Sequence, residues 1–163
     1  MMLYLVLFML VAGGVHGATV DFSSAIVMAP PALSGAEKAA VGMLIDEVEK
    51  RTQLRWRAAS TWPSADTAVI AVGTEASLGN IAGAPIGQLR AHAGAPGAEG
   101  YRLRGSTEGP APVAWVVGND ARGVLFGVGK LLRSLRMVRG QATLPSGLSL
   151  VHDRGMVRPW CRL

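Results

Sequence analysis

The sequence predicts an α/β (α+β) sandwich, a mixed β-sheet with two main helices packed on it. Two segments, 35–52 and 120–135, repeat apolar residues at helical spacing. Short apolar or alternating runs bounded by Gly and Pro lie before, between and after them. Half of the 163 residues are hydrophobic and 17% are charged, which suits one domain with a real core and argues against disorder.

The elements follow in order. Residues 24–29 (SAIVMA) form a short apolar run stopped by Pro30-Pro31, a first strand. Ser34 and Glu37 have capping-box spacing, in which each side chain satisfies a free backbone N–H. Val41, Leu44, Ile45 and Val48 then mark one face of a helix over 35–52, with Glu47, Lys50 and Arg51 opposite. Residues 54–58 alternate apolar and basic, as a half-exposed strand does. The run 67–72 (TAVIAV) is apolar throughout, so it predicts a strand covered on both faces. A Gly, Ala and Pro-rich stretch over 74–98 leaves room for one helical turn near 76–80. Residues 99–106 and 112–117 read as an antiparallel pair joined through Glu108-Gly109-Pro110. After the second helix, 144–151 reads as one edge strand, because Pro145 argues against a central place. The predicted order is β-α-β-β-(short α)-β-β-α-β.

Residues 1–18 open with a short apolar run ending in Val15-His16-Gly17 before Ala18. The run falls short of the about 20 apolar residues of a membrane span and fits an export signal, although no Lys or Arg precedes it. The expected mature chain is therefore secreted or periplasmic, with no membrane association after cleavage. The net charge is +5, unevenly spread: residues 1–99 carry −2 and residues 100–163 carry +7. The arginines are scattered and no groove-reading motif accompanies them, so a solvated face or an acidic neighbouring domain is expected rather than nucleic acid. Cys161 is the only cysteine, which excludes an internal disulfide.

The stretch GNDARGVLFGVGKLLRSL, residues 118–135, admits two readings. A phosphate cradle needs its glycines in the turn before the helix; here Gly123, Gly127 and Gly129 fall inside it. Asp120 at the helix start would also repel a phosphate. A packing helix fits better. Asn119 or Asp120 caps it, and Val124, Leu125, Val128, Leu131, Leu132 and Leu135 share one arc. Glycine inside a helix costs about 0.8–1.0 kcal/mol relative to Ala, so Gly123 and Gly127 predict a close neighbour. With Phe126 as an anchor among charges, these three residues are the candidate contact with a second element.

The same residues carry a family resemblance. Glu99, Gly100 and Tyr101, then Gly118, Asp120, Arg122, Gly123, Gly127, Leu131 and Leu132, with Phe126 at an aromatic position, resemble the N-terminal non-catalytic domain of secreted glycoside hydrolases. The related groups are the α-glucuronidases and the bacterial β-N-acetylhexosaminidases. The resemblance covers residues 20–151 and is specific near the second helix. It implies an accessory α/β domain over 19–151 ahead of a catalytic (β/α)8 barrel that holds the catalytic carboxylates, with 152–163 as a tail at the start of that barrel. Arg154-Gly155 echoes an RG pair at the first barrel strand, but Met156 to Trp160 does not continue that motif and no role is carried over. A barrel of about 250 residues does not fit within this chain, so it is expected as a C-terminal partner.

No catalytic, cofactor or metal residues are expected. Glu37, Glu47, Glu49 and Asp120 have structural explanations; Glu75, Asp66, His16, His92 and His152 lack assignable partners. No metal-ligand spacing or nucleophile elbow occurs. The expected function is a non-catalytic accessory domain of a glycoside hydrolase acting on poly- or oligosaccharides. The alternative is a stand-alone exported module that binds a carbohydrate or a protein.

Overall fold

The computed structural model describes residues 18–63, 66–85, 87–88 and 97–153. The signal-like segment, His16, His92, Arg154-Gly155 and Cys161 lie outside them.

The chain folds as an α/β sandwich with a six-stranded mixed sheet. Its strands are β2 (Ile26–Met28), β3 (Arg57–Ala59), β4 (Val69–Thr74), β5 (Tyr101–Ser106), β6 (Val113–Gly118) and β9 (Ser149–His152), in the order β3-β2-β4-β6-β5-β9. The first four positions are parallel; β5 and β9 add antiparallel strands at one side. Parallel neighbours need crossovers. Helix α1 (Gly35–Thr52) carries the chain from β2 to β3. The five-residue helix α2 (Glu75–Gly79) begins the passage from β4 towards the β5–β6 hairpin.

The capping box that starts α1 is present: Ser34 Oγ accepts from the Glu37 N–H at 3.3 Å, and Glu37 Oε2 accepts from the Ser34 N–H at 2.9 Å. The helix ends where Gln53 turns left-handed, at φ 65°, and donates its N–H to Glu49 O. Helix α3 (Ala121–Ser134) buries Val124, Val128, Leu131 and Leu132, with Leu135 beyond its end, five of the six residues of the predicted apolar arc; Leu125, the sixth, is only half-buried. It lies beside α1 and across β4, β5 and β6.

Alternation along the strands divides the core in two. Val27, Ile70, Val72, Ala114, Val116 and Leu103 face the helices. Met28, Val69, Ala71, Val113, Trp115 and Val117 face the other way, under Leu78 of α2, Ile81 and the half-buried Trp62. The run through β4 is thus buried on both sides, as its apolar composition requires.

A second sheet was not foreseen. β1 (Thr19–Asp21), β8 (Gln141–Pro145) and β7 (Arg136–Val138) form a three-stranded antiparallel sheet in the order β1-β8-β7, placed against the end of α1. Its turn is Arg139-Gly140, with Gly140 at φ 75°, a conformation that glycine adopts at little cost. The single edge strand expected over 144–151 is in fact two strands in two sheets. Pro145 closes β8, and a turn through Gly147, at φ 75°, leads to β9 at the edge of the large sheet. β8 is the middle strand of its sheet; Pro145 is tolerated because it occupies the last position of the ladder, opposite Thr19.

Candidate functional site: a docking face and a cavity

The residues of the GNDARG turn build a junction between two strands and a helix. Asp120 is the N-cap of α3: its Oδ1 accepts from the Gly123 N–H at 2.8 Å and its Oδ2 from the Glu99 N–H at 2.8 Å. These backbone donors, Glu99 first, hold the Asp120 carboxyl below its ordinary value. The carboxylate fills the helix N-terminus, which excludes the phosphate reading. Gly100 O accepts from the Asn119 N–H at 2.9 Å, and Asn119 Nδ2 donates to Gly97 O at 3.2 Å. Glu99, at φ 61°, pairs with Arg122.

The glycines of α3 serve this junction. A Cβ on Gly123 would collide with the Gly100 carbonyl, and one on Gly118 with the backbone of Val124 and Asp120. A Cβ on Gly127 would stand 2.9 Å from Val116 Cγ1 and 3.3 Å from Tyr101 Cβ. The close neighbour that Gly123 and Gly127 predicted is therefore the domain's own sheet. Expectation had set them towards a second element; the helix instead turns them inward so that its backbone can approach β5 and β6.

Phe126 remains on the rim, half-buried and packed at the edge of the core. Beside it Tyr101, Leu125, Gly129, Arg133 and His152 enclose a shallow depression of about 280 Å³. His152 stacks on Tyr101 with ring centroids 5.1 Å apart. From Ala121 to Ser134 the helix carries Arg122, Lys130 and Arg133 and no acidic residue.

Of the candidate carboxylates, Asp120 and four glutamates are occupied structurally, and Asp66 lines a separate depression with Arg55, Trp56 and Arg57. Glu37 caps α1, Glu47 pairs with Arg51 at 2.8 Å, Glu49 with Arg55 at 3.2 Å, and Glu75 with Arg102. Among the described residues no group of three or more His, Cys, Asp or Glu could hold a metal ion, and no helix is long and apolar enough to cross a membrane.

The opposite face of the sheet holds a cavity of about 470 Å³, walled by Trp62, Thr67, Pro85, Gln88, Glu108 and Pro110 among others. Trp62 stacks on Trp115, with centroids 5.6 Å apart and planes 22° from parallel. Gln88 Nε2 donates to Glu108 O, and Glu108 Oε1 accepts from Arg104 Nη2 at 3.4 Å. Gln88 Oε1 and Trp115 Nε1 are the buried side-chain polar atoms without a hydrogen-bond partner among the described residues, and both belong to this face. Such an orphan costs about 1–3 kcal/mol. Sequence reasoning read Trp62-Pro63 and Glu108-Gly109-Pro110 only as loops. The single hint was an indole next to a proline in a chain poor in aromatics.

No protein-family model and no curated protein matches the chain. Solved structures do. A family GH115 4-O-methyl-α-glucuronidase with specificity for decorated arabinogalactans matches over 83% of this chain with a TM-score of 0.59 and 11% identity. A GH20 β-N-acetylhexosaminidase from Streptomyces coelicolor A3(2) matches over 84% with a TM-score of 0.54 and 17% identity. A GH20 exo-β-N-acetylglucosaminidase from Vibrio harveyi matches over 83% with a TM-score of 0.52 and 11% identity. The chain shares its fold with part of these glycoside hydrolases. It spans 18%, 24% and 17% of their respective lengths, so each of them holds a much larger remainder outside the shared fold.

Proposed function

We propose that the chain is a non-catalytic accessory domain of an exported glycoside hydrolase acting on poly- or oligosaccharides, and that the surface around Phe126 seats the catalytic (β/α)8 barrel. The observation that carries this reading is the shared fold: nearly all of this domain superposes on less than a quarter of each of three glycoside hydrolases. The occupied state of Asp120 and the four glutamates named above supports a domain without its own catalytic pair. The half-buried Phe126, with Lys130 and Arg133 on the same helix, supports a docking role. Gly123 and Gly127 contribute indirectly, by holding α3 close enough to the sheet for Phe126 to stand at its rim.

The genomic locus tests this directly. Sequencing through and beyond the codon for Leu163 is expected to reveal a frame encoding a barrel, in phase or one shift away. A stop followed by unrelated sequence overturns the accessory-domain reading.

A further inference from the structure

We infer that strand β9 pairs antiparallel with the β9 of a second copy of this chain, joining two six-stranded sheets into one. The inference concerns the open edge of the sheet and goes beyond the docking reading of α3. The two sheets have four free edges: β3 and β9 on the large one, β1 and β7 on the small one. A free edge presents unpaired N–H and C=O groups, and a charged residue on it discourages further pairing. β3 carries Arg57, β1 carries Asp21 and β7 carries Arg136. β9, from Ser149 to His152, carries no Lys, Arg, Asp, Glu or Pro. It holds Val151, at 62% the most exposed large hydrophobic side chain among the described residues.

The ladder to β5 fixes which groups of β9 face outward. The Gly105 N–H donates to Leu148 O at 2.8 Å, and Leu103 and Tyr101 stand opposite Leu150 and His152. Hydrogen-bonded and non-bonded pairs alternate along an antiparallel ladder, so Leu150 and His152 turn their backbone groups to β5. Ser149 and Val151 turn theirs to the open edge, where no described residue meets them. A second β9, set with Leu150 opposite Leu150 across a two-fold axis, places each Ser149 opposite the second copy's Val151. The outward groups of both copies are then satisfied by four backbone hydrogen bonds. The half-buried Leu150 side chains meet at the axis, and the half-buried Leu148 of each copy faces the other's His152. The cations flanking this edge on β5 do not oppose the pairing, because Arg102 is paired with Glu75 and Arg104 with Glu108.

The test is the association state of the purified chain, measured by sedimentation equilibrium from about 10 μM to about 1 mM. A four-residue strand offers less contact than the about 1,200 Å² of a stable interface, so a reversible monomer–dimer equilibrium is expected within that range. Ser149→Pro removes an outward N–H and no bond to β5, and Val151→Lys puts an ammonium group on the edge. Each is expected to weaken the dimer about tenfold or more while circular dichroism shows the fold retained. Val151→Lys, at an exposed position, decides the matter if Ser149→Pro does not fold. The register has its own test. In a Cys161→Ser background, Leu150→Cys is expected to form a disulfide-linked dimer with oxidised glutathione. Opposed non-hydrogen-bonded residues stand about 4.5 Å apart between Cα atoms, within the disulfide range of about 4.4–6.8 Å. Val151→Cys does not stand opposite itself and is expected to stay unlinked. A chain that is monomeric up to about 1 mM overturns the inference. So does a dimer that neither Ser149→Pro nor Val151→Lys weakens, or one that Val151→Cys links as readily as Leu150→Cys.

Discussion

The two faces of the six-stranded sheet are covered by different means. On one, α1 and α3 lie side by side, and the turn into α3 is held by Asp120 with its backbone donors satisfied. On the other, a five-residue helix, irregular chain and a tryptophan pair do the covering, and two buried polar atoms and a cavity are left. Long helices bury area with their own hydrogen bonds already made, so they can be drawn tight onto strands. Loops cannot close so evenly, because their backbone groups need individual partners. The first face is therefore the more tightly closed, and the second keeps the two unpartnered polar atoms and the cavity.

Three substitutions sharpen or break that contrast. Gly123→Ala should have the largest effect. Its Cβ meets the Gly100 carbonyl, and neither backbone can yield, so a loss of about 3 kcal/mol is expected, the upper part of the overpacking range. Urea unfolding measures it; a change below about 0.5 kcal/mol would mean that the helix does not approach the sheet so closely.

Asp120→Ala comes next, with an expected cost of about 1–2 kcal/mol for the lost cap. The pH dependence identifies the cause. Asp120 titrates below its ordinary value of 3.8 because the Glu99 and Gly123 N–H groups favour the carboxylate. Its contribution is therefore complete above the unfolded pKa and is lost as pH falls through the lower, folded one. Unfolding curves between pH 6 and about pH 2 should converge for the wild type and the variant at the acid end. Parallel curves would show that the carboxylate charge plays no part.

Trp115→Phe should have the smallest effect, within about 1 kcal/mol, because removing an orphaned N–H of about 1–3 kcal/mol offsets the lost indole volume. A loss as large as that of Gly123→Ala would show that the loop-covered face is packed as tightly as the helix-covered one.

What was legible in the residues was local. Ser34 and Glu37 announced a cap, the apolar arc of α3 announced its buried side, and the unbroken run of β4 announced cover on both faces. Each signal depends on neighbours a few positions apart, where spacing fixes geometry. The GNDARG turn was legible as a cap and as a family-like motif, but not in its purpose.

Tertiary structure alone decided three things. It decided that Gly123 and Gly127 face Gly100, Tyr101 and Val116, since a helical wheel has no partner drawn on it. It decided that residues 141–152 split between two sheets, because strand pairing joins Thr19 to Pro145 and Tyr101 to His152 across long sequence separations. And it brought Trp62, Gln88 and Glu108 to one cavity from three separate segments, two of them loops. Loop residues lack a period, so nothing in their order along the chain records which of them will meet.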